Sequence, residues 1–196
     1  VRVLSLFKQM TDEKVFVEGA VTMVNKTAEQ TFANERAAYA FNGSWCVNVY
    51  RGMNPDLQYA AMLPPSVSNL HPARIWGGAG SSFVVNAASP RRGEAIKFLK
   101  WLTDEKQQSF LAEATENLPS NKASVGKISP VLASFGDDMD NTTHPNVYPV
   151  HELPPVVEAF DKGIQSILIG EKTPEEVAKD VQKIKEKESA KEQRAR

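Results

Sequence analysis

The most specific local signal in the sequence is a helix start near the C-terminus. Thr173-Pro174-Glu175-Glu176 is a capping box, with a hydroxyl side chain at the N-cap, proline at the first helical position and glutamate three residues after the cap. Gly170 is suited to ending a preceding helix, because glycine tolerates the left-handed backbone found there. Apolar residues at helical spacing lie on both sides of this junction: Val157, Phe160, Ile164, Ile167, Leu168, Val177, Val181 and Ile184. The segment is therefore predicted to fold as two consecutive amphipathic helices.

The remaining pattern alternates between helix and strand signals. Further helices are predicted at 1–10, at 30–40 up to Asn42-Gly43, from Ser89-Pro90 to 102, from Asp104 to the break at Leu118-Pro119, and at 128–135. Strands are predicted at 45–50, 57–63 and 82–86, where β-branched and aromatic residues lie between turn signals. The charged residues after Lys185 predict a solvated, frayed tail. This order predicts an α/β or α+β class, rich in helices, with small sheets.

Composition excludes several classes of protein. The 196 residues include 23 Lys and Arg and 24 Asp and Glu, which gives a net charge of −1 and argues against a nucleic-acid or anionic-membrane surface. No apolar run approaches the ~20 residues of a membrane span. A single cysteine, Cys46, excludes an intramolecular disulfide and Cys-rich zinc motifs.

No combination of residues predicts catalysis, a metal site or a cofactor. The three histidines, His71, His144 and His151, lie in Pro-rich loops, and there is no Gly-x-Ser-x-Gly turn. Cys46 is predicted to be a small buried hydrophobe. The Gly-rich turn at 77–82 lacks the lysine of a phosphate loop, and the acidic residues at 137–140 do not have the spacing of a calcium loop. Sequence reasoning therefore predicts a protein that is not an enzyme.

The three tryptophans differ in context. Trp101 is predicted to be core or half-core, because it lies beside the apolar stripe of Ala95, Phe98, Leu99 and Leu102. Trp45 follows Asn-Gly-Ser at a predicted helix-to-strand junction, and Trp76 directly precedes Gly-Gly. A large aromatic ring in such a place could stack on the apolar face of a sugar. The alternative is that both rings only fill space at chain bends, and the residues alone leave the two interpretations open.

Several segments, taken in order, resemble the extracellular solute-binding proteins of family 1, the maltose-binding-protein-like sugar receptors of ABC import systems. They include Ala-Ala-Tyr-Ala-Phe-Asn-Gly-Ser-Trp at 37–45, Tyr59 to Pro64, and Trp76-Gly77-Gly78 through the helix start at Ser89-Pro90. Leu118-Pro119, His144 to Tyr148 and the capping box after Gly170 are also similar. The resemblance covers most of residues 30–185.

This resemblance implies a type II periplasmic-binding-protein-like fold with two lobes, of which the chain would be the C-terminal half. Residues 1–63 and 123–196 would belong to the C-terminal lobe, and 64–122 would cross the hinge and contribute to the N-terminal lobe. The first residue is Val, so an upstream half and a secretory or lipoprotein signal are expected. The implied location is periplasmic or extracytoplasmic and membrane-anchored.

The resemblance also implies a ligand site. Trp45 matches a sugar-stacking tryptophan, Ser44 lies beside it, and Trp76, Gly77 and Gly78 match a hinge-side turn that lines the cleft. Val157 stands where maltose-type receptors offer another stacking tryptophan, which argues against an oligoglucan with many stacked rings. The implied partners are a small polar solute, in particular a carbohydrate, and ABC permease subunits.

Two other classes of function and one further contact stay open. The chain could be a small hydrolase or transferase that uses the carboxylates at 137–140, or a helical module that docks a protein through its charged tail. The apolar strand predicted at 82–86 would have an open edge, so self-association through it is also expected.

Overall fold

The computed structural model describes residues 1–66, 74–76, 82–137, 142–143 and 152–195. The three histidines, Gly77, Gly78 and most of the acidic loop lie outside the described residues. The helices are α1 (Arg2–Asp12), α2 (Asn25–Ala33), α3 (Cys46–Met53), α4 (Arg92–Leu102), α5 (Glu105–Thr115), α6 (Pro130–Asp137), α7 (Pro154–Leu168) and α8 (Pro174–Ala195), with 3-10 turns at Ala20–Thr22 and Lys122–Lys127. Within these ranges, no helix is both long and apolar enough to cross a bilayer.

The chain divides into two compact units. The first contains Val1–Asn25 and Asn146–Arg196, and the second contains Lys26–Pro145. The predicted lobe bounds, at 63 and 122, are a different division and stay a prediction.

The core of the first unit lies between α1, α7 and α8. Leu4, Ile167 and Val177 are buried there, and Phe160, Ile164, Ala178 and Val181 pack against them. The capping box is confirmed, because the Thr173 amide donates to Glu176 Oε2 at 2.8 Å and the Glu176 amide donates to Thr173 Oγ1 at 3.2 Å. The two predicted amphipathic helices are therefore present as α7 and α8.

Three helices end in the same backbone motif. After α7, Gly170 has φ of +78°, and the amides of Gly170 and Glu171 donate to the carbonyls of Ile167 and Ser166. This is a Schellman motif, in which two amides satisfy carbonyls of the last turn. Lys14 after α1 and Glu35 after α2 hold the same position, with φ of +55° and +58°. Gly170 was predicted to end a helix, and that prediction is confirmed.

Opposite substitutions at two of the left-handed positions should change the stability in opposite directions. Replacing Glu35 by glycine should raise the free energy of unfolding by about 1 kcal/mol, because the left-handed backbone strains a residue with a β-carbon. Gly170→Ala should lower it by about the same amount, since its added β-carbon meets no atom within 4 Å and only the backbone conformation penalises it. Urea unfolding monitored by circular dichroism measures both changes. Asn34→Gly, one residue earlier, is the control, and an equal gain there would contradict the explanation.

The core of the second unit is built on aromatic rings. Ala33, Cys46 and Tyr50 are buried, and Phe32, Leu57 and Tyr59 pack against them. The Tyr50 ring centroid lies 4.9 Å from that of Phe32 and 5.5 Å from that of Tyr59, and the two tyrosine rings meet edge to face. This cluster joins α2 and α3 to the chain that follows Pro55.

The predicted strand at 45–50 is wrong, because this segment forms α3. Cys46, Val47 and Tyr50 are its buried residues, and their i, i+1, i+4 spacing is that of a helix face. Packing of that face outweighs the strand propensity of valine and tyrosine.

The strands predicted at 57–63 and 82–86 are not part of any sheet among the described residues. Residues 57–63 belong to no helix or strand, although their odd-numbered side chains are half-buried and the even-numbered ones exposed. The β pairing that the structure shows is one parallel contact of two residues, in which Ile75 and Trp76 pair with Thr142 and Thr143. The helix-rich part of the predicted fold class is confirmed, and the small sheets are not.

Two predicted helix ends are also wrong. The helix predicted at 30–40 is α2, which ends at Ala33 because the Schellman motif at Glu35 stops it. The tail predicted to fray continues as α8 to Ala195. Two ion pairs involve lysines of α8: Lys185 pairs with Glu152 at 2.5 Å, and Lys191 pairs with Glu188 at 2.6 Å.

The helices predicted at 1–10, 89–102, 104–117 and 128–135 are confirmed as α1, α4, α5 and α6. The prediction that Trp101 is core or half-core is wrong, since Trp101 is one of the exposed large apolar residues, with 50% of its surface accessible. No residue of α4 is fully buried; Ala95, Leu99 and Leu102 are half-buried on the inner face, and Phe98 and Trp101 lie together on the outside.

Candidate functional site

Trp45 sits at the start of α3 with its ring folded back over a glycine. A β-carbon added at Gly43 would lie 2.0 Å from Cζ3 of the Trp45 ring, so only glycine leaves room for the ring there. The Gly43 amide donates to Asn42 Oδ1 at 2.9 Å, and the Gly43 carbonyl accepts from the Cys46 amide at 3.0 Å. The turn therefore packs against the ring on the side of Gly43, while 56% of Trp45 remains exposed.

A polar group lies next to this ring. Ser44 is half-buried, and its hydroxyl makes no hydrogen bond within the described part of the chain. A hydroxyl can both donate and accept, and sugar hydroxyls need both kinds of partner. These two consecutive residues, which we call the Trp45 shelf, offer one exposed aromatic ring and one hydroxyl that has no hydrogen bond within the described residues.

The other predicted site residues cannot be placed beside the shelf. Trp76 is described only through its backbone in the two-residue pairing, and Gly77 and Gly78 lie outside the described residues. Their contribution to a common site with Trp45 stays a prediction.

A groove in the second unit was not anticipated from sequence. It has a volume of about 520 Å³ and is lined by residues of the segments 36–42 and 57–62, together with the Phe32, Tyr50 and Tyr59 rings. Its other lining residues include Glu35, Cys46 and Phe135. Neither Ser44 nor Trp45 lines this groove, although the nearby Asn42 and Cys46 do.

The ionisable groups under the groove are held in their neutral forms. Burial raises the pKa of the Cys46 thiol to about 11, and burial raises the pKa of the Tyr50 phenol to about 12. The Tyr50 hydroxyl also accepts a hydrogen bond from Asn42 Nδ2 at 3.4 Å. A thiol with so high a pKa carries almost no thiolate at neutral pH, and the prediction that Cys46 is a small buried hydrophobe is confirmed.

Two other positions considered in the sequence are the acidic residues at 137–140 and Val157, which stands where maltose-type receptors offer a stacking tryptophan. Asp138 and Asp140 lie outside the described residues, and no group of three or more His, Cys, Asp or Glu that could hold a metal occurs among those described. Val157 is half-buried on α7, near the ion pair of Glu158 with Lys162 at 2.6 Å.

The family model for bacterial extracellular solute-binding proteins matches residues 1–134. The chain belongs to this family. The matched span contains α1 to α5, the first five residues of α6, the Trp45 shelf and most of the groove. No curated protein matches the chain.

Membership gives this solute-binding protein the substrate-binding role of an ABC transporter. Its partners are accordingly a small-molecule solute and permease subunits, and its place is outside the cytoplasm. The shelf lies on a motif that sequence identified, whereas the groove brings together residues from three separate segments that no local pattern connects.

Proposed function

We propose that this solute-binding protein binds a sugar or a similar small polar solute, which stacks on Trp45 between two lobes and is passed without chemical change to an ABC permease. The observation that carries the proposal is the Trp45 ring, which Gly43 supports on one side and solvent reaches on the other. A pyranose ring has an apolar face of C–H groups and a rim of hydroxyls. An exposed indole beside a free hydroxyl matches both features.

The proposed site takes residues from both lobes. Residues 1–63 and 123–196 would form one lobe, and 64–122 would carry Trp76, Gly77 and Gly78 to the opposite side of the cleft. Backbone groups of a glycine turn can hydrogen-bond sugar hydroxyls that the shelf leaves free. The receptor would work outside the cytoplasm, anchored at the membrane or in the periplasm.

Calorimetric titration of the full-length protein tests the solute class. A panel of neutral mono- and disaccharides should include at least one that binds in the micromolar range, and amino acids and inorganic anions of similar size should not bind. Micromolar binding of an amino acid with no response to any sugar would overturn the carbohydrate assignment. It would leave the transport role of the family in place.

The same titration yields a prediction for Trp45. Trp45→Ala should weaken binding of the best sugar by about 30-fold, since one stacked face buries roughly 80 Å² of apolar surface, worth about 2 kcal/mol. The melting temperature should change little, because the side chain is already more than half exposed.

Two further variants serve as controls. Trp101→Ala removes a similarly exposed tryptophan from α4 and should leave sugar affinity unchanged. Gly43→Ala should weaken binding even though Trp45 is kept, because its β-carbon would displace the ring. Equal losses of affinity in Trp45→Ala and Trp101→Ala would show that the shelf is not the sugar site.

A further inference from the structure

The outer face of α4 carries two aromatic rings that lie outside the core. Phe98 is 55% exposed and Trp101 is 50% exposed, and their ring centroids lie 5.7 Å apart. Their three-residue spacing places both rings on one side of the helix, and the half-buried residues of the opposite side are Ala95, Leu99 and Leu102. An exposed apolar surface that polar residues border is typical of a site where a protein or a membrane binds.

The same segment has a local excess of positive charge. Within residues 91–100, one carboxylate, Glu94, stands against four exposed cations: Arg91, Arg92, Lys97 and Lys100. None of the four cations forms an ion pair within the described part of the chain. The net charge of −1 for the whole chain argues against a membrane surface only as an average, and α4 departs from that average.

The two arginines at the start of α4 do not stabilise the helix itself. Arg91 is the N-cap residue and Arg92 is the first residue of the helix. The N-terminus of a helix carries a partial positive charge, so carboxylates are favourable there and cations are unfavourable. Binding of an anionic partner would offset this local cost, because it would neutralise both guanidinium groups.

We propose that α4 binds the surface of a membrane that contains anionic phospholipids, with the helix parallel to the bilayer and its two rings among the headgroups. Helices that lie in a membrane interface carry Trp, Phe or Leu on one face and Lys or Arg on the other. Lys97 and Lys100 repeat the spacing of the rings one position earlier, so both lysines border the rings on the same side. Their long apolar stems allow the ammonium groups to reach phosphates while the rings enter more deeply.

A bilayer supplies both kinds of contact that this face of α4 needs. Headgroup phosphates attract the cations, and the boundary between headgroups and acyl chains accepts the aromatic rings. A convex helix face can enter a fluid surface, whereas a rigid protein partner would need a complementary pocket for both rings. The protein also works beside a membrane, because its family acts outside the cytoplasm and its partners are permease subunits.

Co-sedimentation of the full-length protein, free of covalent lipid, with vesicles tests the proposal. Vesicles of phosphatidylcholine with about one-third phosphatidylglycerol should bind the protein at least about tenfold more strongly than vesicles of phosphatidylcholine alone. Added salt should weaken this binding, because it screens the cations from the headgroups. Equal binding to both kinds of vesicle, or no binding to either at low salt, would overturn the proposal.

Charge variants test whether α4 is the part of the protein that binds. Lys97→Glu combined with Lys100→Glu should weaken binding to the anionic vesicles at least about tenfold, since one lysine near such a surface contributes about fivefold. Lys183→Glu combined with Lys187→Glu makes the same change of net charge at exposed positions of α8 and should weaken binding no more than about twofold. Glu94→Gln should strengthen binding, because it removes the carboxylate of α4. Equal losses in the two double variants would show that the net charge governs binding and would overturn the proposal.

The fluorescence of Trp101 tests whether the rings enter the bilayer. In a variant with Trp45→Phe and Trp76→Phe, acrylamide should quench Trp101 in the free protein, because this residue is exposed. On anionic vesicles, phospholipids with brominated acyl chains should quench it instead. Protection from acrylamide without vesicles would show that another part of the protein covers this face, and it would overturn the proposal, as would a lack of quenching by the brominated lipid.

Aromatic variants separate the membrane contact from the proposed sugar site. Trp101→Ala should weaken vesicle binding about tenfold and leave sugar affinity unchanged, whereas Trp45→Ala should weaken only the binding of sugar. Phe41→Ala, which removes an exposed ring outside α4, should change vesicle binding no more than about twofold. A loss of vesicle binding in Phe41→Ala equal to that in Trp101→Ala would contradict a specific role of α4.

Discussion

Replacing Tyr50 by alanine is expected to lower the free energy of unfolding by about 3–5 kcal/mol, the usual cost of removing a buried aromatic ring. Only 2% of Tyr50 is exposed, and its ring contacts both Phe32 and Tyr59. Truncation would leave a cavity between α2, α3 and the chain around Tyr59, which cannot collapse without breaking the remaining ring pair. Urea unfolding followed by tryptophan fluorescence measures the change, since all three tryptophans belong to the second unit.

Two control variants separate the effect of losing the Tyr50 ring from the effect of losing its hydroxyl and from that of removing an exposed tyrosine. Tyr50→Phe keeps the ring contacts and removes the hydrogen bonds of the hydroxyl with Asn42 and Cys46, so the expected cost is about 1 kcal/mol. Tyr39→Ala removes a tyrosine that is 77% exposed and should cost no more than about 0.5 kcal/mol. If Tyr50→Ala costs no more than Tyr39→Ala, the aromatic cluster is not the core of this unit.

The parts of the fold that sequence predicted correctly are those fixed by neighbouring residues. The capping box at Thr173 needs only four consecutive residues, and its two hydrogen bonds form within them. Gly170 ends α7 for a reason that is also local, because glycine alone adopts the left-handed backbone without strain.

The errors arise where distant residues decide the outcome. Residues 45–50 contain valine and tyrosine, which favour strands, but Tyr50 becomes helical because Phe32 and Tyr59 bury it on one face of α3. The end of α2 was missed for a different reason. A glutamate, Glu35, occupies the left-handed position that usually signals glycine, so no residue type announced it.

In the candidate site, too, sequence predicted the contiguous motif and missed the surface that is built from distant segments. Trp45 and Ser44 could be chosen from sequence because the Asn-Gly-Ser-Trp turn is a contiguous motif, and the structure explains the glycine through its contact with the Trp45 ring. The groove could not be chosen, because its two edges lie about twenty residues apart in the chain and neither carries an unusual residue. The groove forms only when α2, α3 and the chain after Pro55 pack together, which local side-chain patterns do not encode.

Replacing Gly163 by leucine should lower the free energy of unfolding by about 3 kcal/mol, at the upper end of the usual cost of overpacking. Gly163 lies in the middle of α7, where α8 approaches closely, and a β-carbon there would lie 2.2 Å from Cγ1 of Val177. Val177 is buried in the core with Leu4 and Ile167, so it has no free direction in which to move. The helices must separate, and the apolar contacts around Val177 are lost with them.

A control substitution and a double variant test whether the contact between Gly163 and Val177 is the cause. Gly52→Leu places the same side chain in α3, where a β-carbon meets no atom within 4 Å, and it should stabilise by up to about 1 kcal/mol through helix propensity. Gly163→Ala and Val177→Ala should each destabilise, but the double variant should cost less than the sum, because the alanine at 177 removes the methyl group in the way. Additive losses measured by urea unfolding and circular dichroism would show that Gly163 and Val177 are not in contact and that α7 and α8 pack in another register.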